Sequence, residues 1–171
     1  MLKKVAVIMG SASDLPTAEK AVSELIALKI PAECRVISAH RTPETAAAFA
    51  EGAEAEGFGV IIAAAGKAAH LAGALAARTS LPVIGIPLKG SALDGLDALL
   101  STVQMPDGVP VASVAIDGAR NAAILAAQIL ALADADLSAR LKARRAEMRD
   151  DVAAKDAEMQ KNLNKINGGG N

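Results

Sequence analysis

Short unbroken apolar runs alternate, through most of the chain, with segments whose apolar positions recur every three or four residues. Val5-Ala6-Val7-Ile8-Met9 stops at Gly10, the pattern of a strand buried on both faces of a parallel sheet. Ser11-Ala12-Ser13-Asp14 supplies helix-start residues, Pro16 falls in the first turn, and Ala18, Ala21, Val22, Leu25 and Ile26 follow at helical spacing. Pro31 opens a second run through Cys34, Val36 and Ile37 to Ser38. Thr42-Pro43 is an N-cap followed by proline at the first helical position, and the spacing predicts a helix over 43–56 with Ala46, Ala47, Phe49, Ala50 and Ala53 inward, ended by Gly57.

Val60 to Ala63 reads as a third strand, running into Ala64-Ala65-Gly66-Lys67-Ala68-Ala69-His70-Leu71, a stretch of mostly small side chains. Leu81 to Pro87 is a fourth, and Lys89-Gly90-Ser91 leads to a helix through Leu93, Leu96, Leu99 and Leu100. Gln104 to Gly108 is a loop, Val109 to Ile116 a fifth strand, and Gly118 to Leu132 an Ala-rich helix so apolar all round that it should be buried. Strands alternating with helices and short loops predict an α/β fold over residues 1–133: a three-layer, doubly wound parallel sheet in a flavodoxin-like order.

The pattern changes at Asp134, where 15 of the last 38 residues are charged against 22 of the first 133. Leu137, Leu141, Met148, Val152, Met159, Leu163 and Ile166 form a narrow stripe at near-heptad spacing, which predicts a long helix over 134–167. The preceding body looks complete without it, so the helix is expected to pack on a neighbouring subunit, ahead of a flexible tail at 168–171.

Composition narrows the function. Apolar residues make up 52% of the chain, yet Phe49 and Phe58 are the only aromatics, leaving little to stack on a flavin or a nucleic-acid base. A net charge of −1 gives no general field for nucleic acid or an anionic membrane, so a bound phosphate must be held locally. The single Cys34 reads as a reduced core residue on a strand, and no Cys/His cluster has metal-ligand spacing. The N-terminus lacks a signal-peptide pattern and no apolar stretch reaches membrane-spanning length, so a cytoplasmic protein is expected.

Ligands of an open parallel sheet bind outside the C-terminal strand ends. There Gly10, Ser11, Ser13 and Asp14 offer backbone N–H groups and hydroxyls at a helix start, a phosphate cradle, although Ser and Asp serve equally as N-caps. Ser38, His40 and Arg41 add a hydroxyl, an imidazole that changes protonation near neutral pH, and a cation that opposes the following helix dipole. The loop from Ala63 to Ala69, with Ala65, Gly66 and Lys67 in it, has small residues that let backbone approach a small anionic or CO2-like group, and His70 and Leu71 close it. Tight packing and a helix-starting structural histidine explain those last residues as well. A flavin carrier lacks its flanking aromatics here, and a phospho-acceptor receiver would need an Asp where Ala63-Ala64-Ala65-Gly66 stands.

Met9 to Asp14, Ser38-Ala39-His40-Arg41-Thr42-Pro43-Glu44, Ala68 to Gly73, Leu81 to Gly85, Val103 to Val111 and Asn121-Ala122-Ala123 occur together, in one order, over about residues 3 to 132. In this the chain resembles the N5-carboxyaminoimidazole ribonucleotide mutase family of purine biosynthesis. The resemblance implies a cofactor-free, metal-free homo-octamer, with sites built between subunits, that moves a carboxylate from the exocyclic nitrogen of an aminoimidazole nucleotide to ring carbon 4. It also implies that Ser11, Ser13, Asp14, Ser38 and Arg41 hold the ribose phosphate and that His40 shuttles a proton. Two places depart from the pattern. Lys67 stands where the family usually has the second glycine of an Ala-Gly-Gly-Ala-Ala-His loop, and Ile116 to Asn121 is shorter than the usual glycine-rich version. Both bear on the choice between the mutase and the related carboxylase, which takes free CO2 and aminoimidazole ribonucleotide.

Overall fold

The computed structural model describes residues 2–90 and 92–168. Strand β1 (Lys4–Met9) is followed by a 3-10 turn (Ala12–Asp14) and helix α1 (Leu15–Ala27), then β2 (Ala32–Val36) and α2 (Pro43–Gly52). Next come β3 (Phe58–Gly66), α3 (Leu71–Ala76), β4 (Val83–Leu88), α4 (Leu96–Val103), β5 (Ala112–Ser113), α5 (Ala119–Ala131) and α6 (Ala135–Gly168). All pairings are parallel, in the order β2-β1-β3-β4-β5, the flavodoxin-like arrangement that the alternation predicts.

Period-two alternation divides the central strands between two cores. Val5, Val7 and Met9 of β1, with Val60, Ile62 and Ala64 of β3, pack against α1 and α5. Ala6, Ile8, Ile61 and Ala63 face α2 and α3, where Phe49, Ala50, Leu71 and Leu75 meet them. Alanines allow the close approach: Ala18 and Ala21 of α1 and Ala119, Ala122, Ala123, Ala126 and Ala127 of α5 are all buried. Gly85 is needed at the centre of β4, because a Cβ there would collide with the Thr102 methyl of α4.

Four expectations are corrected. Helix α2 stops at Gly52, and tight turns fill Ala53 to Gly57, with Gly57 at φ 88. Strand β5 is two residues long, not eight. On β4, Gly85 and Pro87 offer their carbonyls to this edge, accepting from Val114 N–H (3.1 Å) and Asp117 N–H (2.9 Å). Pro87 has no N–H to return, so the regular ladder ends there. Helix α5 buries one face only within the chain: Ile124 and Ile129 are half-buried, Asn121 and Gln128 exposed. Cys34 is exposed, because β2 is an edge strand with one neighbour. Residual burial and the charge of Glu19 still push its thiol pKa up.

Helix α6 docks by its first turns alone. Asp134 Oδ1 caps it by accepting from Leu137 N–H at 2.7 Å, and Leu137 is fully buried against α5. Arg140 Nε donates to the Leu28 carbonyl at 3.0 Å, and Arg144 grips Glu24 Oε1 through Nε (2.7 Å) and Nη2 (2.6 Å). From Met148 onward its described side chains are exposed. The tail expected at 168–171 lies outside the described residues beyond Gly168, which ends α6. Among the described residues, no helix is long and apolar enough to cross a membrane.

Candidate active site

The loops leaving β1, β2, β3 and β4 meet at the C-terminal edge of the sheet around a cleft of about 610 Å³. The first wall follows from local capping chemistry. Ser11 Oγ accepts from Ser13 N–H (3.3 Å) and from the Ser13 hydroxyl (2.9 Å), while Asp14 Oδ2 accepts from Ser11 N–H (3.1 Å). This reciprocal box holds the 3-10 turn with its hydroxyls toward the cleft. Burial pushes the Asp14 carboxyl above its ordinary pKa, against the lowering effect of the Ser11 N–H and the Ser13 hydroxyl.

The second wall is a knot of side chain to backbone bonds at the end of β2. Thr42 Oγ1 accepts from Ser38 N–H (3.1 Å) and donates to the Ser38 carbonyl (2.9 Å). Ser38 Oγ accepts from Arg41 N–H (3.2 Å) and, at 3.4 Å, from Arg41 Nε. Arg41 Nη2 then crosses to β1 and donates to the Gly10 carbonyl at 3.0 Å. The guanidinium is thus fixed beside the serine-capped turn.

His40 leaves the same loop in the other direction. Its Nε2 lies 2.9 Å from Nδ1 of His70, the residue that opens α3, with the rings edge to face at 5.0 Å. Two nitrogens at that distance share one proton, one as donor and one as acceptor, which sets the tautomer of each ring by the state of the other. Ala65 and Gly66, expected on a loop, are instead the last residues of β3, paired with Pro87 and Leu88 of β4, and with Lys67, Ala68 and Leu71 they complete this wall. Lys67 sits at φ 56, a left-handed conformation costing a side-chain-bearing residue about 1–2 kcal/mol. Asp117 of the second departing segment is also at φ 56, and its Oδ1 accepts from Lys89 N–H at 3.1 Å, tying the β4 loop to the segment before α5.

Gly10, Ser11, Ser13, Asp14, Ser38, His40, Arg41, Ala65, Gly66, Lys67 and Leu71, all candidates from sequence, line this one cleft. His70 is not among its lining residues and joins it through His40. Sequence reasoning placed Ala39 and Ala68 in candidate loops without singling them out; it missed Leu88, and also Lys89 and Gly90, which it read only as the approach to a helix. The usable signal for the latter was their place at the end of a fourth parallel strand and directly after it, at the same sheet edge. Among the described residues, no three His, Cys, Asp or Glu side chains gather as a metal site.

Comparison with known proteins identifies the family. A Mycobacterium tuberculosis (strain ATCC 25618 / H37Rv) protein named N5-carboxyaminoimidazole ribonucleotide mutase is 55% identical over 163 residues, 95% of this chain and 94% of that one. The protein of the same name from Escherichia coli (strain K12) is 50% identical over 151 residues, 87% of this chain and 89% of that one. The crystal structure of Treponema denticola PurE superposes with a TM-score of 0.83 at 30% identity, covering 90% of this chain and 96% of that chain. The sequence model described as AIR carboxylase matches residues 4–151, which include every wall of the cleft, and this chain belongs to that family.

Proposed function

We propose that this chain is an N5-carboxyaminoimidazole ribonucleotide mutase of de novo purine biosynthesis. The observation that carries the reading is the single cleft in which His40, Arg41 and the serine-capped turn converge beside a small-residue loop. The names of relatives 50% and 55% identical support the same substrate.

In this reading the ribose phosphate rests on Ser11, Ser13, Ser38 and Arg41, beside the positive end of the 3-10 turn. His40, protonated, gives its proton to the carbamate nitrogen. The C–N bond breaks, its electron pair stays on nitrogen, and CO2 departs. Ala65, Gly66, Ala68 and Leu71 leave room for CO2 and little for water, so that proximity replaces concentration. Ring carbon 4 then attacks the CO2 carbon, and neutral His40 removes the proton from carbon 4 as the ring regains aromaticity. His40 ends as it began, the economy expected of one group acting as acid and then base. His70, behind His40 and outside the cleft lining, holds the imidazole between these steps.

A homo-oligomer, an octamer by the family resemblance, belongs to the same proposal. Met148, Val152, Met159, Leu163 and Ile166 lie exposed along α6, and Leu93, Leu96, Leu100 and Val103 along and just before α4, two apolar rows that a neighbouring subunit would cover.

The test is formation of 4-carboxyaminoimidazole ribonucleotide from N5-carboxyaminoimidazole ribonucleotide in CO2-depleted buffer, against aminoimidazole ribonucleotide plus bicarbonate, with His40→Asn alongside. Product from the first substrate, abolished in the variant while nucleotide binding persists, supports the mutase. Product only with added CO2 makes the chain a carboxylase, and normal turnover in His40→Asn removes the histidine shuttle.

A further inference from the structure

We infer that Lys67 is a specificity residue of this cleft, the cation that receives the migrating carboxylate of the substrate. The inference rests on the mutase reading above. Its starting point is an anomaly of backbone and charge together. Lys67 lies in the cleft wall at φ 56, a conformation glycine adopts freely and a long side chain does not favour. The chain therefore carries an ammonium group where the backbone would be better served by no side chain at all.

The other cations of the cleft have protein partners. Arg41 donates to the Gly10 carbonyl at 3.0 Å, and Lys89 Nζ lies 3.3 Å from Asp94 Oδ1. Among the described residues, no carboxylate pairs with Lys67. Its neighbours Ala65, Gly66 and Ala68 offer no competing side-chain acceptor.

Topology assigns the anion. Along the sheet edge the loops stand in the order β2, β1, β3, β4, with adjacent strands about 4.8 Å apart. The phosphate cradle is built by the loops of β2 and β1, through Arg41, Ser38 and the capped turn. His40 Nε2, the group that must face the reacting atoms, instead turns to His70 beyond the end of β3. The reacting end of the substrate therefore lies on the β3 side, where Lys67 stands and Arg41 does not. A substrate with a carbamate, or a product with a ring carboxylate, presents an anion there. Aminoimidazole ribonucleotide, with the same phosphate and no carboxylate, does not. Lys67 thus favours the carboxylated nucleotides over the decarboxylated one, in ground-state binding more than in the chemical step.

The experiment compares Lys67→Gln, Lys67→Arg and Lys67→Gly with wild type by steady-state kinetics on N5-carboxyaminoimidazole ribonucleotide, and by calorimetric binding of 4-carboxyaminoimidazole ribonucleotide and aminoimidazole ribonucleotide. Lys67→Gln is expected to raise KM about threefold to tenfold, as for an ion pair open to water, with kcat changed less than about twofold. The same variant should weaken the carboxylated ligand by a like factor and leave the decarboxylated one nearly unchanged. Lys67→Arg should restore wild-type behaviour, and added salt should raise KM in wild type more than in Lys67→Gln. Lys67→Gly should melt above wild type while sharing the KM defect, which separates lost charge from lost fold. Equal weakening of both ligands would assign Lys67 to the phosphate, and unchanged KM in Lys67→Gln would make it a solvated loop charge; either overturns the inference. Absence of turnover in wild type would instead overturn the mutase reading on which it rests.

Discussion

Replacing Arg41 by alanine should separate binding from stability, because the guanidinium stands where the fold alone would not put it. Of the five N–H donors a guanidinium carries, the Gly10 carbonyl and Ser38 Oγ engage two, leaving the rest free to meet a phosphate. Truncating one partner of a charged hydrogen-bonded contact costs about 2–5 kcal/mol when the pair is desolvated. Arg41 is exposed, so the lower part of that range, about 2–3 kcal/mol, applies, and KM should rise about 30- to 150-fold. Stability should hardly move. The lost bond to Gly10 is exposed and costs about 1 kcal/mol. Against it, a cation just before the Thr42 cap of α2 opposes the helix dipole, and its removal returns about 0.3–1 kcal/mol. The melting temperature should therefore stay within about 4 °C of wild type. Steady-state kinetics and thermal melts of Arg41→Ala, with Arg41→Lys as an intermediate, check both halves. A collapse of kcat at unchanged KM would refute the phosphate assignment, and a large loss of stability would show that Arg41 is a structural strut.

Leu137→Ala removes the fully buried anchor of α6 and should destabilise the chain by about 2–5 kcal/mol in chemical denaturation, against under about 1 kcal/mol for Val152→Ala, which is exposed. Truncation after Ala133 should lower the oligomeric state measured by light scattering, and an unchanged number of subunits per particle would refute the docking of α6 on a neighbour. Asp14 has a folded pKa raised above its ordinary 3.8, so the folded state holds its proton more tightly, and stability from this group falls as pH rises from 3.8 through the raised value. Asp14→Asn, whose amide oxygen still accepts from Ser11 N–H, should lose that downward trend in melting temperature as pH rises above 3.8; an identical pH profile would sink the assignment.

What could be read from sequence followed the regularity of the backbone. Continuous apolar runs such as Val5 to Met9 announce central parallel strands because both faces are covered, and the structure places them so. Edges are where the reading failed. Cys34 lies on β2, which looks like a core strand in sequence but has a single neighbour, and the run from Val109 to Ile116 yields two paired residues because Pro87 breaks the ladder from the facing strand. Helix α5 misled in another way, since a face that is apolar yet half-exposed in one chain cannot be told by periodicity from one buried within it. The site was legible as a set of loops because strand ends gather at one sheet edge. Its contacts were not: nothing in the spacing of His40 and His70 says that their nitrogens meet.

That meeting gives the site its particular shape. In the order β2-β1-β3, the chain leaves β1 toward one side and returns to the other, so the loops after β2 and β3 flank the end of β1. Arg41 and His40 are adjacent in sequence, yet one is pinned to the Gly10 carbonyl after β1 and the other reaches His70 after β3. A nucleotide held by its phosphate at the first point and transformed at the second must lie across the end of β1, with Gly10 beneath it. Under the proposed function the absence of a side chain there serves the ligand, because Gly10 has an ordinary φ and a Cβ would meet only Asp14 Oδ2, at 4.0 Å. Neither the local backbone nor the packing asks for glycine at this position; in the proposed reaction, the substrate does.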